Sequence, residues 1–232
     1  MEFQEMTDMA ITREEWSVYL NNYCLGERSG SELIGRLPDF APGEEERKWV
    51  KLWSAEEMEH HRIWDQLMEK KKIPKMEMTQ GLKNIYSITD GFVSRKDWAG
   101  SMVSAAIIEH MSNAAAAYLF RHADLETKQA FRRITGDDLA HLDFDIAQIE
   151  KAAKTKEGRK GVMEAHKAFL KEIIQWPLRK DVSDSELRIL DDTYQLHRFR
   201  LSRVGVNLPN IRFSRSFSFR VQKAFVELFL RF

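Results

Sequence analysis

The stretch Trp53-Ser-Ala-Glu-Glu-Met-Glu-His-His-Arg-Ile-Trp64 decides the fold that we expect for this chain. Its central feature, an acid followed three residues later by a histidine, recurs in Thr135-Gly-Asp-Asp-Leu-Ala-His-Leu-Asp-Phe144. Residues three apart on a helix lie on one face, about 5 Å from each other. Such a pair can therefore offer a carboxylate oxygen and an imidazole nitrogen to one metal ion. The two pairs are Glu57 with His60 and Asp138 with His141.

Two further acids stand where the apolar faces of two other predicted helices require hydrophobic residues. Glu27 continues the apolar face of the first helix, and Glu109 is the only acid between Asp97 and Asp124. A lone acid on an apolar face is costly unless it is paired, protonated or bound to a metal. Two acid–histidine pairs plus one acid from each of two other helices form the ligand set of carboxylate-bridged two-metal sites. The predicted metal ligands are Glu27, Glu57, His60, Glu109, Asp138 and His141.

The composition of this ligand set indicates which metal it suits. Four carboxylates balance two divalent cations, whereas four buried acids without metal would repel each other and raise one another's pKa values. Oxygen-rich ligation with two imidazoles suits iron, or manganese at one of the two positions, better than copper or structural zinc. Glu14 and Glu15 are alternative ligands from the first helix. Their place in its first turn, at the positive end of the helix dipole, explains them without a metal.

Composition bounds the class of protein. The chain has 232 residues, of which 43% are hydrophobic, enough for a sizeable core. Only 11 residues are Gly and 5 are Pro, and few β-branched residues alternate with polar ones, so we predict an all-α fold. The 36 basic and 36 acidic residues cancel, which does not indicate a nucleic-acid partner. One cysteine excludes an internal disulfide, and the lack of a long apolar run leads us to expect a cytoplasmic protein.

Helix starts and breaks divide the chain into three parts. Residues 1–11 are expected to be a flexible N-terminus, residues 12–153 a four-helix bundle, and residues 154–232 a helical extension that forms a lid or an oligomer contact. The bundle helices are predicted to begin near Thr12 and Gly43 and to span 97–123 and 125–153, with a long connection in the middle. Shorter helices are predicted at 79–88, 161–176 and 184–204, with a solvated turn at 151–160 and an amphipathic tail at 217–232. We expect a homodimer.

Residues 13–153 resemble the ferritin-like diiron-carboxylate superfamily. The segment 25–32 looks like the ligand segment of its first helix. The segments 53–60 and 136–141 are similar to the second-helix and fourth-helix motifs of soluble acyl-carrier-protein desaturases, although Asp138 replaces the usual Glu. The resemblance implies that Glu56 and Asp137 orient the opposite histidines, as metal-bound histidines require. It also implies that Ser112 stands where those desaturases carry a hydroxyl near the oxygen-binding side of the irons.

The function expected from these residues and this resemblance is that of an oxygen-dependent, non-haem diiron oxidoreductase. It would use O2 to desaturate or hydroxylate a hydrophobic substrate, with acyl groups and carrier-bound forms among the candidates. Electrons would come from a separate ferredoxin or reductase. An alternative is a ferritin- or rubrerythrin-like protein that handles iron or peroxide without an organic substrate. A third is a helical binding module without metal.

The remaining histidines, acids and aromatic residues are given simpler interpretations. Trp53 and Trp64 are expected in the core, and Cys24 is expected to be a buried apolar residue. Asp145, one turn past His141, is either a partner of a metal ligand or a solvated residue. The other histidines are expected to be exposed or to have their hydrogen bonds satisfied: His61, His110, His122, His166 and His197.

Overall fold

The computed structural model describes residues 11–180, 182–216, 219, 222 and 223. Over these residues the chain forms seven α-helices and no β-strand, which confirms the all-α prediction. The helices are α1 (Arg13–Ile34), α2 (Glu44–Lys70), α3 (Gln80–Ser94), α4 (Trp98–Phe120), α5 (Leu125–Ala153), α6 (Lys156–Ile173) and α7 (Asp184–Arg203). Short 3-10 turns follow α1 at Leu37–Asp39 and α6 at Trp176–Leu178.

The helices begin where the sequence supplies capping groups. Thr12 accepts a hydrogen bond from the backbone N–H of Glu15, and the Glu15 carboxylate accepts one from the backbone N–H of Thr12. This reciprocal arrangement is a capping box, and it satisfies two of the amide donors that a helix start leaves free. Ser183 and Glu186 form the same arrangement at the start of α7.

The four long helices form the bundle in two pairs, α1 with α2 and α4 with α5. The predicted long connection between the second and third bundle helices is present, and α3 lies within it. This helix runs to Ser94, six residues beyond the predicted end, because its apolar residues Ile85, Phe92 and Val93 are buried. α3 packs against α1, α4 and α6 and so covers one side of the bundle.

The C-terminal helices share the core of the bundle. α4 packs against α5, α6, α7 and α3, and an unbroken run of its residues from Gly100 to Ile107 is buried. Val162 and Phe169 of α6 and Leu190 of α7 belong to the same apolar cluster. α4 packs against four other helices, and its many small residues allow the close approach of these neighbours.

The link between α5 and α6 is shorter than the predicted solvated turn at 151–160. α5 continues to Ala153 and α6 begins at Lys156, so that only Lys154 and Thr155, both exposed, lie between the two helices. The Thr155 side chain accepts a hydrogen bond from Gly158 N at 3.0 Å and so starts α6 almost at once.

The predictions for residues 1–10 and for most of the tail 217–232 lie outside the described residues. None of the described helices combines the length and apolarity needed to cross a bilayer.

Three buried histidines join α4, α6 and α7. His166 Nε2 lies 2.9 Å from His197 Nε2, and His197 Nδ1 lies 3.3 Å from His110 Nδ1. The Nδ1 atoms of His110 and His166 also lie 2.6 and 2.7 Å from the carbonyls of Ala106 and Val162. We assign neutral tautomers with the proton on Nδ1 in His110 and His166 and on Nε2 in His197. The expectation of satisfied histidines therefore fails only at His110 Nε2, which is buried without a partner.

We expect acid to destabilise the protein through this cluster. Burial lowers the pKa of His166 to about 4, and burial, followed by repulsion from His166 and His110, holds the pKa of His197 well below its usual range. The unfolded chain therefore binds more protons as the pH falls below about 6.5. This contribution to the free energy of unfolding is fully present above that pH and is lost as the pH falls toward the folded pKa. The full loss is roughly 3 kcal/mol for His166 alone.

The measurement is urea unfolding of the metal-free protein between about pH 7 and pH 4.5. His166→Gln is expected to flatten the pH dependence relative to the unmodified chain. His122→Gln, outside the cluster, is the matched control. Identical pH dependence in the His166 variant and the unmodified protein would show that the cluster contributes nothing.

Candidate metal centre

The bundle brings the six predicted ligands together in its interior. Glu27 comes from α1, Glu109 from α4, and the two acid–histidine pairs come from α2 and α5. All six side chains are buried. The prediction that four separate helices would direct these residues inward therefore agrees with their positions.

Five of the six form two compact groups that share one carboxylate. Glu57 lies with Glu27 and His60 in one group and with Glu109 and His141 in the other, and the potential ligand atoms within each group lie within 4.8 Å of one another. His60 Nδ1 is 3.6 Å from Glu27 Oε2, and His141 Nδ1 is 3.3 Å from Glu57 Oε1. A shared carboxylate between two Glu/His groups is compatible with a diiron site.

The two histidines each direct a ring nitrogen without a hydrogen-bond partner toward these acids. His60 Nδ1 and His141 Nδ1 are buried and have no hydrogen-bond partner. Their other ring nitrogens are held by acids on the opposite helix: His60 Nε2 is 3.0 Å from Asp137 Oδ2, and His141 Nε2 is 2.8 Å from Glu56 Oε2. With Nε2 donating its N–H to a carboxylate, Nδ1 is the nitrogen that can bind a metal ion once any proton on it has left.

Electrostatics also favour cations here. Burial, followed by the neighbouring Glu57, raises the pKa of Glu27 well above its usual range, and burial followed by Glu109 does the same for Asp138. Burial raises the pKa of Glu109 to about 7. Acids gathered in a dry interior must hold protons or bind cations. Two divalent cations would balance the four carboxylates, so the residues present fit a two-metal cofactor.

Asp138 differs from the other acids in its position. Its Oδ1 lies 3.6 Å from His60 Nδ1, but it belongs to neither compact group. An aspartate side chain is one methylene shorter than a glutamate side chain, yet Asp138 Oδ1 lies as close to His60 Nδ1 as Glu27 Oε2 does. Ser112 Oγ is 3.5 Å from Asp138 Oδ2, at the outer limit of a hydrogen bond. The resemblance therefore places Ser112 beside the acids, and the structure gives it a weak contact.

Two tryptophans, predicted only as core residues, also contact the acids. Both are buried. Trp53 Nε1 donates to Glu57 Oε1 at 2.8 Å, and its ring stacks on His141 with a centroid distance of 4.9 Å. Trp64 Nε1 lies 3.4 Å from Glu27 Oε1. The spacing of four residues between Trp53 and Glu57 is a sequence signal for the first of these contacts.

Helix α1 contains glycines where it approaches the acids. A Cβ atom on Gly30 would lie 2.9 Å from Glu57 Oε2, and one on Gly26 would lie 3.1 Å from the Tyr86 hydroxyl. Glycine inside a helix costs about 0.5–1 kcal/mol relative to alanine. At Gly30 the close approach of Glu57 leaves no room for a side chain, which explains the glycine despite its lower helix stability.

Asp145 is the least expected residue near the centre. It is fully buried, and neither carboxylate oxygen has a hydrogen-bond partner. The interpretation as a solvated residue is therefore wrong, because Asp145 shares the inward face of α5 with Asp138 and His141. Burial, followed by the charge of Glu109, raises the pKa of Asp145 well above its usual range.

A cavity of about 130 Å³ opens beside the acids. Glu27, Glu57, Glu109 and Asp138 form one side of it, while α1, α3, α4, α7 and the turn after α6 supply the walls. Beside Glu109, the cavity runs along Ser112 and Ala115. The small residues Ala105 and Ala106 of the same helix pack in the core instead. Wall residues that sequence reasoning missed include Tyr23, Tyr86, Trp176, Ile189 and Leu190.

Comparison with solved structures identifies the fold. The chain is similar in structure to Protein 19 with aldehyde deformylating oxidase activity from Synechococcus, with a TM-score of 0.69 over 86% of this chain and 93% of that chain. The chain has the ferritin-like fold. The two sequences are only 17% identical, so the likeness establishes the fold and not the activity. It does not support the narrower likeness to desaturases. No protein-family model and no curated protein sequence matches the chain.

Proposed function

We propose that this protein is an oxygen-dependent, non-haem diiron oxidase that acts on an apolar substrate. The observation that carries the proposal is the pair of buried Glu/His groups sharing Glu57, each with an unpartnered histidine Nδ1. The apolar cavity that opens onto the same acids supports an organic substrate.

Each side chain has a defined part in this proposal. Glu27 and His60 would hold one ion, and Glu109 and His141 would hold the other. Glu57 would bind both ions. Asp138 would complete the ligand set beside His60. Glu56 and Asp137 keep the histidine rings in position through their hydrogen bonds to Nε2. Two bound iron ions, with manganese at one position as the variant, would supply the activation of O2.

The cavity walls would bind the substrate and exclude water. Ser112, at the cavity surface, is placed to hold a hydrogen bond or a proton beside Asp138. We propose that the reaction desaturates or hydroxylates the substrate at an unactivated C–H bond. The aldehyde deformylating oxidase activity of the structural neighbour adds aldehydes to the substrates to be tested. Electrons would come from a separate donor, because one cysteine cannot hold an iron–sulfur cluster.

Anaerobic reconstitution with ferrous iron is expected to give about two ions per chain, the stoichiometry of such a site. The loaded protein is then exposed to O2 and a chemical reductant with a hydrocarbon, an alcohol and an aldehyde of matched length. We expect mass spectrometry to show an oxidised product from at least one of them. Iron content well below one ion per chain would refute the diiron assignment. Uptake of many ions with oxygen consumption and no organic product would instead indicate iron handling.

A further inference from the structure

A second, smaller cavity adjoins the first. It has a volume of about 20 Å³ and extends toward α6 and α7, where His166 and His197 form part of its wall. Met111 of α4 and Leu190 of α7 line both cavities. These two side chains therefore separate the space beside the acids from a continuation of it deeper in the C-terminal helices.

The first cavity is small for a long-chain substrate. Its volume is about 130 Å³. An apolar cavity of about 150 Å³ in another protein holds one benzene molecule. The part of a substrate that this cavity can enclose is accordingly about six carbon atoms in size.

The charges around the cavity exclude an anionic group. The described residues that line it include no lysine or arginine, and its five acids are Glu27, Glu57, Glu109, Asp138 and Glu186. Two divalent cations would balance the first four, and the Glu186 carboxylate accepts the backbone N–H of Ser183 at the start of α7. In the metal-free protein, a carboxylate entering this space would lose its hydration and find no lysine or arginine to pair with.

Two tyrosine hydroxyls of the walls are already occupied. Tyr23 donates its hydroxyl hydrogen to the carbonyl of Ser112 at 2.6 Å, and Tyr86 donates to the carbonyl of Gly26 at 2.9 Å. These tyrosines therefore present ring surfaces to the cavity rather than free hydroxyls. Such walls favour a hydrocarbon group.

We propose that the cavity binds a compact, uncharged hydrocarbon group of about six carbons, and that Met111 and Leu190 set this length by closing off the second cavity. That the bound group is the substrate rests on the proposed function; the length limit itself does not. Replacing Met111 by a smaller residue joins the two cavities, so that a longer hydrocarbon chain fits. Replacing Ala115 by a larger residue fills part of the first cavity, so that only a shorter hydrocarbon chain fits.

The test is isothermal titration calorimetry with straight-chain primary alcohols from butanol to dodecanol, on metal-free protein and on anaerobic iron-loaded protein. Affinity is expected to rise about fourfold with each added methylene until the chain fills the cavity near hexanol, and then to level off. Met111→Ala should move this limit to longer alcohols, and Ala115→Leu to shorter ones. Ala117→Leu, on the exposed side of α4, is the matched control and should leave it unchanged. In the metal-free protein, hexanoate should bind at least about tenfold more weakly than hexanol.

Several results would overturn the proposal. Affinity that keeps rising through dodecanol would indicate a long tunnel, and hexanoate binding as tightly as hexanol would remove the charge argument. A folded Met111→Ala variant with the original limit would exclude Met111 from length selection; if that variant does not fold, the shift expected in Ala115→Leu decides the cavity size. Iron content tests the proposed function separately, because a protein without iron that keeps the hexanol limit would refute only the diiron assignment.

Discussion

Glu57→Gln is expected to lower the iron content from about two ions per chain to less than one. Glu57 is the carboxylate common to both groups, so its loss removes a ligand from each ion at once. Glu27→Gln and Glu109→Gln each affect a single group, and each variant is expected to retain about one ion. The measurement is iron content after anaerobic reconstitution and desalting.

Glu59→Gln is the matched control for this series. Glu59 lies on the same helix but faces outward, where its carboxylate pairs with Arg62 and Arg133. The control is expected to keep both ions, since an exposed ion pair contributes little. Two ions retained by the Glu57 variant, or equal losses in all three site variants, would contradict the assignment of a shared carboxylate.

Metal binding is expected to stabilise the protein more at about pH 8 than at about pH 5. In the metal-free site, burial raises the pKa of Glu109 to about 7, and burial with nearby charges raises the pKa values of Glu27 and Asp138 well above their usual range. A carboxyl group whose pKa is higher in the folded chain contributes stability below its unfolded pKa and loses it as the pH rises through the folded pKa. The metal-free protein therefore loses this contribution between about pH 4.5 and at least pH 7.

The same groups make metal binding easier as the pH rises. Every proton that the ligands release on binding changes the apparent affinity about tenfold per pH unit. His141 adds to this effect: burial opposes its protonation, but the adjacent carboxylates of Glu109 and Glu57 raise its pKa to about 11 in the metal-free site. Its Nδ1 proton must also leave before a metal can bind.

The measurement is thermal unfolding of one preparation with and without ferrous iron, under anaerobic conditions, at a series of pH values. The difference between the two melting temperatures is expected to grow with pH. Taking the difference removes the titration of the buried histidine cluster, which contributes to both samples. A difference that stays constant or shrinks toward high pH would show that the ligands bind metal without releasing protons.

The sequence anticipated much of the candidate centre because its signals are local. Glu57 and His60 had to share a helix face, and Glu109 stood alone on an apolar one, whichever way the helices packed. The placement of Glu56 and Asp137 came from a likeness to known proteins, and both carboxylates lie within hydrogen-bond distance of the opposite histidines. Asp145 shows the limit of such signals. Helical periodicity places it on the inward face, but only the packed structure shows that it has no partner.

By itself, the sequence determined that the chain is helical and that acids and histidines occupy inward-facing positions, because both depend on the geometry of a single helix. Only the tertiary structure decided the size of the cavity, the wall formed by Met111 and Leu190, and the cluster of three histidines. These features join residues far apart in the chain, such as His110 and His197, which are 87 positions apart. Their distances depend on how the helices pack together, and helix periodicity carries no information about that packing.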